Sequence, residues 1–122
     1  MQIGEVAART GLSLRSLRHW EEVGLLRPSG RTEGGFRLYT GADVEKILVI
    51  RRMKPLGFTL ERMGAAMRDI EVVRDRDASD RHAEARERLS AILSDAAERR
   101  QQLQSQLMMA DEFISQLGRE LT

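Results

Sequence analysis

The chain has 122 residues with 20 basic and 19 acidic side chains, and 41% of it is hydrophobic. That is a length for one domain with an appendage, and a composition too aliphatic for disorder. It has no cysteine and only two, widely separated, histidines, His19 and His82, which excludes a disulfide framework, a thiolate zinc site, an iron–sulfur cluster and a thiol redox sensor.

The first predicted helix runs from Ile3 to Arg9, with Ile3, Val6 and Ala7 on one face. Thr10-Gly11-Leu12-Ser13 interrupts it, Gly11 being free to take positive φ and Ser13 suited to cap a helix N-terminus. A second helix is expected from Leu14 to Val23, closed by Gly24. Leu14, Leu17 and Trp20 form its apolar stripe, and Arg15, Arg18, His19 and Glu22 its polar face. Two short helices around a glycine-containing corner make a helix-turn-helix.

Leu25–Pro28 and Phe36–Tyr39 then read as two extended arms around Gly34-Gly35, a hairpin or wing, with Phe36 and Leu38 alternating against Arg37 and Tyr39. Thr40-Gly41-Ala42-Asp43 is a capping box opening a third helix, with Val44, Ile47, Leu48 and Arg51 on one face. Lys54-Pro55-Leu56-Gly57 ends that helix. Thr59 caps a fourth, which carries Leu60, Met63, Met67 and Ile70. The charged stretch 71–80 reads as a linker or frayed turn, with Ser79 or Asp80 as the cap of a final helix.

In the last segment a 4–3 alternation is sustained through Leu89, Leu93, Ala96, Arg100, Leu103, Leu107, Ala110, Ile114, Leu117 and Leu121. These are d and a positions of a coiled coil, with His82 at a d position when the heptads are extended backwards. The stretch spans roughly 48 Å at ~1.5 Å per residue. A seam that long needs a partner helix, most simply a second copy. The expected fold is mainly α: a winged helix-turn-helix domain at 1–70, a linker at 71–80 and a dimerising coiled-coil helix at 81–122.

Charge is unevenly placed. Residues 1–62 hold 11 basic and 7 acidic side chains and residues 63–122 hold 9 and 12. Of the basic side chains 18 are Arg, whose planar fork suits phosphate and guanine, although a GC-rich genome produces the same bias.

Several motifs carry a resemblance to the MerR family of bacterial transcription regulators: Ile3-Gly4-Glu5-Val6-Ala7, Thr10-Gly11-Leu12-Ser13, Leu17-Arg18-His19-Trp20-Glu21, Gly24-Leu25-Leu26-Arg27-Pro28, Gly35-Phe36-Arg37-Leu38-Tyr39, Asp43-Val44 and Leu56-Gly57-Phe58-Thr59-Leu60. It covers roughly residues 1–70. His19-Trp20 departs from the two aromatic residues that the family often has there. The resemblance implies a winged helix-turn-helix homodimer with an antiparallel coiled coil, bound to a two-fold promoter operator in double-stranded DNA. Such regulators bend and untwist the promoter spacer for RNA polymerase, at a deformation cost of order 1–6 kcal/mol or more.

On this reading Arg18 holds phosphate or base, and Arg15 and Ser16 read bases. Ser13, His19, Trp20 and Phe36 join the DNA-facing set, Trp20 sharing the core stripe. Arg37 and Tyr39 resemble the family's wing Arg-x-Tyr, with a surface ion pair as the alternative for Arg37, and Arg31 stands near the wing tip. The coil positions above are the dimerisation set. An architectural or excisionase-like winged-helix DNA binder is the alternative function, and a coiled-coil adaptor a third.

No nucleophile–histidine–acid set, metal cluster or phosphate-binding glycine loop is present, so no enzyme, cofactor or metal is expected. The chain stops soon after the last heptad, so no ligand domain is expected and no small-molecule effector is identified. Neither metal nor oxidant is expected to act on it directly. The start, Met1-Gln2-Ile3-Gly4-Glu5, lacks a secretion signal, and no apolar run approaches the ~20 residues of a membrane span. A bacterial cytoplasmic protein, nucleoid-associated through DNA and without a membrane partner, is expected.

Overall fold

Helix α1 (Ile3–Thr10) stops where Gly11 adopts φ 70 and returns its N–H to the Ala7 carbonyl. Helix α2 (Leu14–Glu22) starts at Ser13, whose hydroxyl accepts the Ser16 N–H at 3.1 Å. Gly24, at φ 78, closes α2, and the amides of Leu25 and Leu26 both donate to the Trp20 carbonyl at 2.9 and 3.1 Å. The helix-turn-helix thus follows from local chemistry at its corner and its two ends. This computed structural model describes all 122 residues, which form two units, Met1–Glu71 and Val72–Thr122.

The wing is narrower and later than the sequence suggests. Strands β1 (Gly30–Arg31) and β2 (Arg37–Leu38) pair antiparallel, Gly30 opposite Leu38 and Arg31 opposite Arg37. Leu25–Pro28 is not its first arm, because the Leu25 and Leu26 amides are already used to end α2. Gly35 at φ 84 makes the tip, where Thr32 accepts the Gly35 amide on its carbonyl and the Phe36 amide on its hydroxyl.

Helix α3 (Gly41–Met53) opens with the expected capping box: the Asp43 amide donates to the Thr40 hydroxyl and the Thr40 amide to the Asp43 carboxylate. Its buried stripe is Asp43, Ile47, Ile50 and Met53. This is rotated from the Val44–Ile47–Leu48–Arg51 face read in the sequence, because Asp43 turns inward to bond Ser29 and Thr40. Arg51 instead reaches the carbonyl of Thr10 at 2.5 Å, satisfying an orphan acceptor at the end of α1. A 3-10 turn (Lys54–Leu56) and Gly57 at φ 83 lead to helix α4 (Leu60–Arg74), whose first turn is capped by Thr59. Val6, Leu17, Trp20, Leu26, Tyr39, Ile47, Ile50 and Met63 are the innermost apolar side chains of this unit, drawn from each of its α-helices and from the wing.

Residues 71–80, expected as a linker or frayed turn, are mostly helical. Helix α4 runs on to Arg74, and a 3-10 turn (Arg76–Arg81) follows. Neither Ser79 nor Asp80 caps the next helix. The turn is tied instead by Asp75, whose carboxylate accepts the Asp77 amide and whose carbonyl accepts from His82 Nε2 at 2.6 Å. His82 is therefore engaged in this turn. Helix α5 (His82–Glu120) grows directly out of it and has 39 residues, about 58 Å at 1.5 Å per residue. Leu93, Leu103, Leu107, Ile114, Leu117 and Leu121 on it are exposed, by 44% to 87%. Water-facing leucines at this spacing leave an apolar seam with no partner in the chain.

Candidate nucleic-acid interface

The capped start of α2 and the burial of Leu17 and Trp20 set its rotation, and Arg15, Arg18, His19 and Glu22 consequently face solvent. Leu14, expected on the apolar stripe, is 39% exposed, since the stripe meets the core only from its second turn. With Ser16, Trp20 and Lys54 these residues line an open concavity of about 620 Å³. Lys54, which the sequence reading did not single out, arrives from the turn after α3, its ammonium 5.7 Å from the centroid of the Trp20 ring. Arg15, Arg18 and Lys54 make this face cationic, and a solvent-facing helix with such a rim is an arrangement for holding an anion.

Trp20 is corrected from the DNA-facing set to the core: it is 1% exposed and forms the floor under Lys54. The Ser13 hydroxyl is engaged by the Ser16 amide and in turn donates to the Ser16 hydroxyl at 3.1 Å, so Ser13 is a helix cap. Ser16 is half-buried beside Arg15 in the concavity. Phe36 stands on the wing, exposed.

The other wing residues converge on a carboxylate that the sequence reading passed over. Glu21, in the last turn of α2, pairs with Arg37 Nε, lies 3.5 Å from Arg31 Nη2, and accepts from the Tyr39 hydroxyl at 3.4 Å. Arg31 also donates through Nη1 to the Gly35 carbonyl at 3.1 Å, so it ties the tip down rather than reaching outward. Tyr39 is buried at the base of the wing. Burial, then the charge of Glu21, pushes its phenol above the ordinary value. The bond to Glu21 raises the Arg37 guanidinium in the same way. One signal for Glu21 was available: an acidic residue in a last helical turn, where the helix dipole disfavours it, usually has a cation to hold it there.

Asp43 anchors the base of the wing. Its carboxylate accepts from the Ser29 hydroxyl at 2.6 Å and the Thr40 amide at 2.8 Å. Burial alone would push it up, but these hydrogen bonds outweigh burial and hold it below 3.8. A depressed carboxyl contributes stability above its unfolded value, and that contribution is lost as pH falls through the folded value. Asp43→Ala is therefore expected to lose about 0.5–2 kcal/mol at neutral pH. Asp43→Asn should show a flatter melting profile than the parent chain below about pH 4, as read from thermal melts across an acid series; an identical acid profile would refute the assignment.

No group of three or more His, Asp or Glu is placed to hold a metal ion, and no helix is long and apolar enough to cross a membrane. The model of the MerR HTH family regulatory protein matches residues 1–70. The nodulation protein NolA of Bradyrhizobium elkanii is 44% identical over 66 residues, 54% of this chain and 30% of that protein. An uncharacterised HTH-type transcriptional regulator of Pseudomonas aeruginosa is 42% identical over 64 residues, 52% of this chain and 48% of that protein. The chain thus spans less than half the length of these curated relatives. The crystal structure of HiNmlR, a MerR family regulator lacking the sensor domain, bound to promoter DNA, is 22% identical and has the same fold. Its TM-score is 0.63, with 98% of this chain and 86% of that one covered.

Proposed function

The chain belongs to the MerR family of helix-turn-helix regulatory proteins, and from that premise we propose that it binds a two-fold promoter operator as a homodimer, through the outward face of α2 and the wing. Bending and untwisting of the promoter spacer, action through RNA polymerase and residence in the bacterial cytoplasm belong to the same reading. The observation that carries it is the exposed face of α2, where Arg15, Arg18 and His19 share one concavity with Lys54 while the wing is pinned beside the end of the same helix. HiNmlR bound to promoter DNA supports the reading by its likeness in fold.

Within this site Arg18 holds the DNA backbone, and Arg15 with Ser16 reads base edges. His19 and Lys54 add backbone contacts. Duplexes selected from a random-sequence library with the full chain provide the probe. Arg18→Ala should weaken binding nearly uniformly across sequence variants of the selected duplex, and lower the dependence of log affinity on log salt by about one. Arg15→Ala should instead relax preference at one base step, at about 1–3 kcal/mol there. Unchanged affinity in both variants would remove α2 as the recognition element. Recovery of no preferred duplex at all would replace the operator by general, architectural binding.

A further inference from the structure

Of the two wing arginines that meet Glu21, Arg31 is held at both terminal amines, by Glu21 and by the Gly35 carbonyl. Arg37 is held differently. Its ion pair with the carboxylate is made through Nε, and its side chain is 34% exposed. The Glu21 side chain, by contrast, is only 14% exposed. A guanidinium fixed at Nε keeps its planar fork and has less rotamer freedom left to lose, so both terminal amines are preset for two oxygens of one phosphate.

We propose that Glu21 is a positioning residue of the DNA interface, its carboxylate holding Arg37 by Nε so that the terminal amines meet a backbone phosphate. The inference rests on the reading that α2 and the wing bind DNA.

Simple electrostatics argues for the opposite sign, which makes the idea testable. Glu21, like its exposed neighbour Glu22, is an anion beside a polyanion, so deleting its charge should tighten binding if charge were all that mattered. Positioning predicts weaker binding instead. The full chain is titrated with a duplex selected from a random-sequence library, over a series of salt concentrations, as the parent, Glu21→Gln, Arg37→Ala and the double variant.

The expected result is a roughly tenfold loss for Glu21→Gln, a salt slope lower by about one, and no further loss when Glu21→Gln is added to Arg37→Ala. Tighter binding with a steeper slope would overturn the proposal by making Glu21 a simple neutraliser. An equal loss in the Arg37→Ala background would overturn it by making the role one of packing. Should Glu21→Gln not fold, Arg37→Lys puts the same question, because it keeps the charge and has no Nε. It should bind as weakly as Arg37→Ala, and parental affinity would reject the proposal. If Arg18→Ala and Arg37→Ala both bind like the parent, it is the underlying DNA reading that has failed.

Discussion

A chain carrying Leu107→Glu is expected to sediment as a monomer and to lose affinity for its selected duplex by about 10²–10⁴-fold. The loss is the effective concentration that links two half-sites in a dimer. Leu107 lies on the exposed seam of α5, and in a symmetric pair one substitution places two carboxylates in the interface, each costly to bury without a partner. A persistent dimer of unchanged affinity would mean that the N-terminal units associate by themselves.

The seam also favours one register. With the two-fold axis between Gln101 and Gln102, at the middle of α5, an antiparallel pair sets Leu93 against the partner's Ala110 and Leu107 against the partner's Ala96. Large faces small in both layers, and Ile92 flanks the partner's Phe113. Because the chain has no cysteine, a variant with Ile92→Cys and Phe113→Cys should give an interchain disulfide on oxidation. Retention of monomer on a denaturing gel would reject this register.

Trp20→Ala is expected to lower the stability of the N-terminal unit by about 3–5 kcal/mol, a large share of the roughly 5–15 kcal/mol typical of a whole domain. Its indole is among the largest fully buried side chains, and the Lys54 ammonium above the ring adds a cation–π contact. Trp20→Phe keeps an apolar ring in place and should retain duplex affinity at a smaller cost in stability. Melting by circular dichroism, alongside titration with the duplex, separates the two roles. A Trp20→Ala chain that melts normally yet loses affinity would return the indole to the DNA surface.

The parts of the fold that were legible in the sequence are those decided within a few residues. Gly11, Ser13 and Gly24 mark helix ends by their own backbone and side-chain chemistry, and Thr40 and Asp43 announce the capping box by their spacing. For Glu21 the sequence signals a need for a cation but not which one. It looks like one of two adjacent glutamates on a helix, and its meaning comes from Arg31, Arg37 and Tyr39, ten to eighteen positions away. Lys54 escaped for the same reason, since only the turn after α3 brings it over Trp20. The strands were displaced because two-residue strands carry almost no alternation to read, and Leu25 and Leu26 mimic an extended arm while serving a helix end. The start of α5 lies within one residue of the expected position, but Ser79 and Asp80 were misread as its cap because no side chain caps it.

The placement of Trp20 and Tyr39 has a spectroscopic corollary. They are the single tryptophan and single tyrosine of the chain, and both are buried within Met1–Glu71. The absorbance near 280 nm that Trp and Tyr provide, and the indole emission, therefore come from that unit alone. The 39-residue helix α5 is silent at those wavelengths while contributing strongly to the far-ultraviolet signal of backbone helicity. One unlabelled sample thus carries two optical channels, one confined to the N-terminal unit and one shared by all the helices, and a denaturant titration in which the two fail to coincide would show the units unfolding in turn.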